Sequence, residues 1–304
     1  MERREEVRIG PAGWSYADWQ GIVYPSPRSV NFHEPEYLAR FFDVIEINTS
    51  FYQPVQPRLA EHWVEQVVAN SNFQFTAKVW QKLTHETDAT EEDVRAVRAG
   101  FDVLRNANLL GAVLLQFPFS FHNTPENLLR LEHLADSFQD YPLVVEVRHS
   151  SWNGASFHQL LRRRGIGLVN IDQPLIGCSI RPSEHQTSSV AYFRLHGRRY
   201  DTWFTDDPKV PRHERYNYLY SEEELKPWAE RIERVATRAK STFAIMNNHY
   251  QGKGVVNALD LLHLLGQKKL KVPEPLRQYY PRLEKLADEP AIQGALFPAP
   301  KQSF

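Results

Sequence analysis

The chain has 304 residues, 42% hydrophobic and 24% charged, with 36 Lys+Arg against 37 Asp+Glu and a net charge of −1. Extended disorder does not fit this composition, and near-neutral charge disfavours a general nucleic-acid coat while leaving a local basic cleft open. The single cysteine, Cys178, excludes an intrachain disulfide and any zinc motif built on several Cys. No apolar run reaches the roughly 18 residues of a membrane span, and the charged start Met1–Glu6 lacks the apolar stretch of a signal peptide. A soluble, cytoplasmic protein without a membrane partner is the expectation; oligomeric state is not legible.

In chain order, short β-rich runs alternate with longer helix-patterned ones. A strand is predicted over 7–10, a helix over 34–42, then strand 44–48, helix 58–68, strand 73–78 and helix 91–106. Strand 112–116, helix 125–138, strand 143–148, helix 155–164 and strand 167–172 follow. No helix is predicted between that sixth strand and strand 190–196. A long polar and aromatic loop then leads to helix 222–238, strand 242–247 and helix 255–265. Thr90, Thr124-Pro125 and Ser221 with Glu224 mark helix starts; Gly165 and Gly266 mark ends. Eight strands with intervening helices predict an α/β fold: a single TIM-type (β/α)8 barrel over 1–266, with an irregular sixth βα connection. The proline-rich C-terminal tail, 267–304, is expected to pack on the barrel.

Side chains alternate along a strand. Ile45 and Ile47 oppose Glu46 and Asn48; Val145 and Val147 oppose Glu146 and Arg148; Phe193 and Leu195 oppose Arg194 and His196. Val169 and Ile171 oppose Asn170 and Asp172, and Phe75 and Ala77 oppose Thr76 and Lys78. Taking the apolar set as helix-facing puts the polar set inside the barrel, at the strand C-termini where barrel enzymes carry their chemistry. On that reading Glu46, Glu146 and Asp172 balance Lys78, Arg148 and Arg194. Aromatics, among them Trp14, Tyr16, Tyr52 and Trp203, fall just beyond the strands, as in a small-molecule pocket.

Several segments, in order, resemble the DUF72 (YecE-like) family. They are Gly13-Trp14-Ser15-Tyr16 with Trp19, Val44-Ile45-Glu46-Ile47-Asn48 with Phe51-Tyr52, and Phe75-Thr76-Ala77-Lys78. Leu115-Gln116-Phe117-Pro118, Val145-Glu146-Val147-Arg148-His149 with Trp152, Arg194-Leu195-His196-Gly197-Arg198 and Met246-Asn247-Asn248 complete the set. The resemblance spans roughly residues 7–265. It implies a TIM-type barrel and leaves the reaction open.

Two carboxylates across a barrel mouth can divide acid and base roles, as in glycoside hydrolysis. Glu46 and Glu146 are therefore the candidate catalytic pair, with His196 as a proton-transfer alternative. Lys78, Arg148 and Arg194 would hold an anionic group. Asn48, Gln116, Asp172 and Asn247 would orient a substrate, and Trp14, Tyr16 and Tyr52 would wall it. The competing reading of the charges is a buried, self-neutralising support for the barrel. A metal held by Glu46, Glu146, Asp172 and His196 is chemically conceivable but matches no known ligand spacing. No GxGxxG, Walker or GxSxG pattern supports NAD, ATP or serine-hydrolase chemistry. An enzyme, possibly a hydrolase, acting on a small polar, anionic or sugar-like ligand is the first expectation. A noncatalytic binder of a nucleotide or single-stranded nucleic acid is the alternative.

Overall fold

The computed structural model of the chain describes residues 6–205 and 207–288. Eight parallel strands form one sheet in the order β1-β8-β7-β6-β5-β4-β3-β2: β1 (Glu6–Pro11), β2 (Val44–Ile47), β3 (Gln74–Lys78), β4 (Leu110–Gln116), β5 (Leu143–Glu146), β6 (Gly167–Asp172), β7 (Val190–Leu195) and β8 (Ser241–Met246). The ends meet through a bridge between Ala12 and Glu46, where the Gly13 amide donates to the Glu46 carbonyl at 2.8 Å. Gly10 permits this approach: a Cβ there would lie 1.9 Å from the Val44 carbonyl oxygen. The result is a nearly closed TIM-type barrel, as the alternation predicts.

The outer layer comprises α1 (Glu34–Leu38), α2 (Pro57–Val67), α3 (Gln81–His85), α4 (Glu91–Asn106), α5 (Pro125–Ser137), α6 (Ala155–Arg164), α7 (Glu222–Ala236) and α8 (Lys253–Leu264). Capping follows the sequence signals. Ser221 and Glu224 form a reciprocal capping box, as do Thr90 and Asp93. Thr124 caps α5 with Pro125 in the first turn, and Gly165 ends α6 in the left-handed region. The five-residue α3 had no clear sequence signal.

No helix joins β6 to β7; irregular chain 173–189 covers that part of the sheet. Here the sequence reading of strand parity needs correction. Asn170 is in register with Phe193, and Asp172 with Leu195, whereas Ile171 pairs with the inward Arg194. Asn170 and Asp172 therefore face outward. Polarity misassigned the face because the covering layer is loop, whose polar groups satisfy Asn170: its side chain accepts from the His185 amide at 2.7 Å and donates to the His185 carbonyl at 2.9 Å.

Beyond α8, α9 (Glu274–Tyr279) and a 3-10 turn, Pro281–Leu286, bury Leu276, Leu283 and Leu286 against the core. Arg282 ties this segment to Asp260 on α8. The rest of the expected tail, 289–304, lies outside the described residues. Among the described residues no helix is long and apolar enough to cross a membrane.

Candidate functional site

Arg194 on β7 is fully buried at the centre of the lumen network. One nitrogen, Nη2, donates to Glu46 Oε1 on β2 at 2.8 Å; the other, Nη1, donates to Glu146 Oε2 on β5 at 2.5 Å and to Gln116 Oε1 at 3.1 Å. Tyr192, on the same face of β7, bonds Glu46 Oε2 at 2.9 Å and Thr76 Oγ1 at 2.7 Å. A carboxylate only accepts, so the Tyr192 hydroxyl donates to Glu46 and accepts from the Thr76 hydroxyl. Arg148 places Nε and Nη2 on Glu146 Oε1 at 2.9 and 2.8 Å. Burial by itself would raise Glu146, yet Arg194, His196 and Arg148 hold it well below the usual carboxylate range. The two carboxylates lie across the lumen from each other, as strand spacing predicts, but with one guanidinium spanning them.

His196 follows β7 and is also fully buried. Its Nδ1 lies 2.9 Å from Asn247 Nδ2, which must donate, so the neutral ring carries its proton on Nε2. Nε2 stands 3.3 Å from Glu146 Oε1. Burial pushes the imidazole down to about 3, with Glu146 opposing, so it is neutral at physiological pH.

Lys78 ends β3 on the same inner face. Its Nζ donates to Asn48 Oδ1 at 2.6 Å, lies 3.8 Å from Glu46 Oε1 and sits 5.2 Å from the centre of the Phe51 ring. Burial and the positive charge of Arg194 lower its pKa to about 7. The outward direction of Asp172 explains this. At this end of the lumen two carboxylates, Glu46 and Glu146, face three cations, Lys78, Arg148 and Arg194. Lys78 is the cation whose short contact is to a neutral amide, so it yields its proton most readily.

Asn48 connects this layer to the surface. Its Nδ2 donates to Tyr16 OH at 3.1 Å, and Tyr16 OH donates to the Ala12 carbonyl at 2.8 Å. Asn48 and Tyr16 line a pocket of about 430 Å³ at the C-terminal ends of β1, β2 and β8, with Trp14, Tyr52, Tyr216 and His249 among its walls. Tyr16 stacks on His249, ring centres 4.2 Å apart and planes within 6°. Gly13 has φ +74°, and a Cβ there would collide with the Tyr16 hydroxyl at 2.4 Å. Arg212, His213 and Tyr216 reach the pocket from a 3-10 turn, Arg212–Tyr216, inside the loop between β7 and α7.

Of the residues singled out from sequence, Trp14, Tyr16, Asn48 and Tyr52 line the pocket. Lys78, Glu46, Glu146, Gln116, Arg148, Arg194, His196 and Asn247 form the polar layer at the mouth of the lumen, with Lys78 one hydrogen bond from the lining. Asp172 is not among them. It accepts Arg198 Nε and Nη2 at 2.9 and 3.0 Å and the Tyr220 hydroxyl at 2.5 Å, on the outer side of β6. The four-residue metal set of Glu46, Glu146, Asp172 and His196 therefore does not converge, and no other group of three or more His, Cys, Asp or Glu among the described residues does. Arg212, His213 and His249 escaped the sequence reading; the unusual length of the loop after β7 was the available signal for the first two.

A family model described as "Protein of unknown function DUF72" matches residues 8–281, past the boundary at 266 drawn from sequence. The UPF0759 protein YunF of Bacillus subtilis (strain 168) is 28% identical over 272 residues, which cover 85% of this chain and 94% of that protein. The UPF0759 protein YecE of Escherichia coli O157:H7 is 26% identical over 68% of this chain and 69% of its own. Among solved structures, a DUF72 family protein from Thermotoga maritima MSB8 matches with TM-score 0.74 and 32% identity, covering 86% of this chain and 99% of that one. Another, from Enterococcus faecalis V583, matches with TM-score 0.75 and 26% identity over 85% and 95%.

Proposed function

This chain belongs to the DUF72 family, whose description carries no activity, and from the geometry of its mouth we propose that it is an enzyme performing acid–base chemistry on a small polar, anionic ligand. The observation that carries the proposal is the continuous path from pocket to ion network: Tyr16, Asn48, Lys78, Glu46 and Arg194. An acid–base group works best with a pKa near the operating pH, and Lys78, lowered to about 7, meets that condition. Glu146 is held ionised and His196 neutral. In this reading Glu46, Glu146 and Arg194 are positioning residues that set the charge around Lys78. The aromatic walls take the body of the ligand, and the cation surplus attracts its negative charge.

The test is a thermal-shift screen with small carboxylic acids and phosphorylated sugars, followed by mass-spectrometric assay of each binder for turnover. A binder that is converted, with conversion lost in Lys78→Met and its affinity weakened in Tyr52→Ala, is the expected result. Binders that return unchanged overturn the catalytic reading. A noncatalytic nucleotide or single-stranded nucleic acid binder is the second reading, favoured by exposed Tyr52 beside Arg212 on the pocket rim. Its mark is oligonucleotide binding that weakens steeply with salt, without turnover.

A further inference from the structure

The placement of the Lys78 amine raises a more specific possibility than proton transfer. It stands at the C-terminal end of a barrel strand, one hydrogen bond from the pocket lining. Its closest partner, Asn48 Oδ1, is uncharged. The nearest carboxylate, Glu46, stands at 3.8 Å and is already engaged by Arg194 and Tyr192. The Phe51 ring lies alongside. Around it stand Arg194 and Arg148, with Glu146 beyond; His85 and His249 also face this charge, and burial, then neighbouring cations, pushes them down to about 4 and about 3, so both are neutral. Tyr16 is held protonated by burial. The one tight partner of the ammonium in this shell is a neutral amide, and the nearest carboxylate stands at 3.8 Å. A lysine among cations and apolar surface, without a tight carboxylate partner, is the environment in which an amine serves as a nucleophile.

We propose that Lys78 forms an imine with an aldehyde or ketone that carries an anionic group. The proposal rests on the pocket being a substrate site, as read above. The Nζ lone pair attacks the carbonyl carbon, a C–N bond forms and the C=O electron pair moves to oxygen. That oxygen gains the proton that nitrogen loses, giving a carbinolamine. The hydroxyl takes one further proton from solvent and leaves as water, with the C–O electron pair, while the nitrogen lone pair closes the C=N bond of a protonated iminium. The step is redox-neutral. Asn48 Oδ1, now the acceptor for the ammonium, is placed to accept the iminium N–H.

The full chain is incubated at pH 7 with glyoxylate or pyruvate, reduced with cyanoborohydride and mapped by mass spectrometry. Reduction converts the imine to a stable secondary amine. Lys78 is expected to label about tenfold or more faster than the surface lysines, most of whose amines are protonated at this pH, and labelling at this site disappears in Lys78→Arg. Trace acetic anhydride provides a second measurement that needs no substrate. Acetylation of Lys78 is expected to reach half its limiting rate near pH 7, against about 10 for exposed lysines. If Lys78 labels no faster than those lysines in both experiments, the proposal is overturned. Turnover of a pocket ligand that cyanoborohydride does not inactivate overturns the imine alone and leaves the acid–base reading standing. Selective labelling of Lys78 with no turnover of any ligand overturns the acid–base reading and leaves the imine standing.

Discussion

Two networks of buried carboxylate and arginine flank β6 and β7, one inside the barrel and one outside. Inside, Glu46 and Glu146 share Arg194, with Lys78 and Arg148 as additional cations. Outside, Asp172 takes both forks of one arginine, Arg198, and a tyrosine hydroxyl. Glu224 shares the same arginine at 3.2 Å, so the outer set holds two carboxylates to one cation, but Arg198 and Glu224 are 28% and 27% exposed and water can help them. The inner set is more deeply buried, with Arg148 17% and Lys78 7% exposed and Arg194 fully enclosed, and it holds one cation too many. Buried ionic groups tolerate imperfect pairing poorly, and the imbalance falls on the side chain able to lose its charge. The outer network reads as architecture. The inner one reads as architecture that holds a lysine in an unusual state.

Breaking each network separates these roles. Arg194→Met removes the cation that both buried carboxylates share, leaving Glu146 with Arg148 and Glu46 with Tyr192 and Lys78, and is expected to cost about 3–5 kcal/mol in urea unfolding; a loss as small as that of a surface substitution would mean the lumen is wetter than its burial implies. Asp172→Asn leaves Arg198 able to turn to Glu224 and solvent, so about 1–3 kcal/mol is expected, with the pocket's ligand affinity unchanged. A pocket that fails in this variant would rejoin the two regions.

Lys78 sharpens the comparison through pH. Its folded pKa of about 7 lies below the ordinary 10.5, so the unfolded chain binds the extra proton between those values. Stability attributable to this site therefore rises with pH from about 7 toward 10.5, and the penalty is full below 7. Lys78→Met is expected to remove that slope, which is at most about 1.4 kcal/mol per pH unit, so the variant gains on wild type as pH falls toward 7. Identical pH profiles for the two proteins would place Lys78 among ordinary lysines.

The smallest effect is at His249. Its folded pKa of about 3, lowered by burial and Lys78, means stability is lost as pH falls from 6.5 toward 3. His249→Phe should flatten the profile between pH 6.5 and 4.5, above the carboxylate range. Because the ring is partly exposed, less than one proton's worth of slope is expected. An unchanged slope would remove His249 from the pocket's charge balance.

Much of this was legible from sequence. All eight strands fall within two residues of their predicted bounds, and Ala155–Arg164 and Glu91–Asn106 match their predicted helices, because apolar periodicity and capping residues are local signals. The inward set on β2, β3, β5 and β7 was also legible, since helices cover those strands and demand an apolar outer face. Strand β6 was not. Asn170 and Asp172 look inward only if a helix covers them, and the chain that does cover them is loop.

The sequence by itself determined the barrel, its strand order and which strands send charge to its C-terminal mouth, because each follows from alternation along a few consecutive residues. Only the tertiary structure decided how those charges pair. It turned Asp172 out to Arg198, set Arg194 between the two glutamates and brought Arg212 across the pocket. It also left Lys78 with a neutral partner. Charge pairing and burial depend on residues 30 to 148 positions apart in the chain, and no local pattern encodes the distance between them.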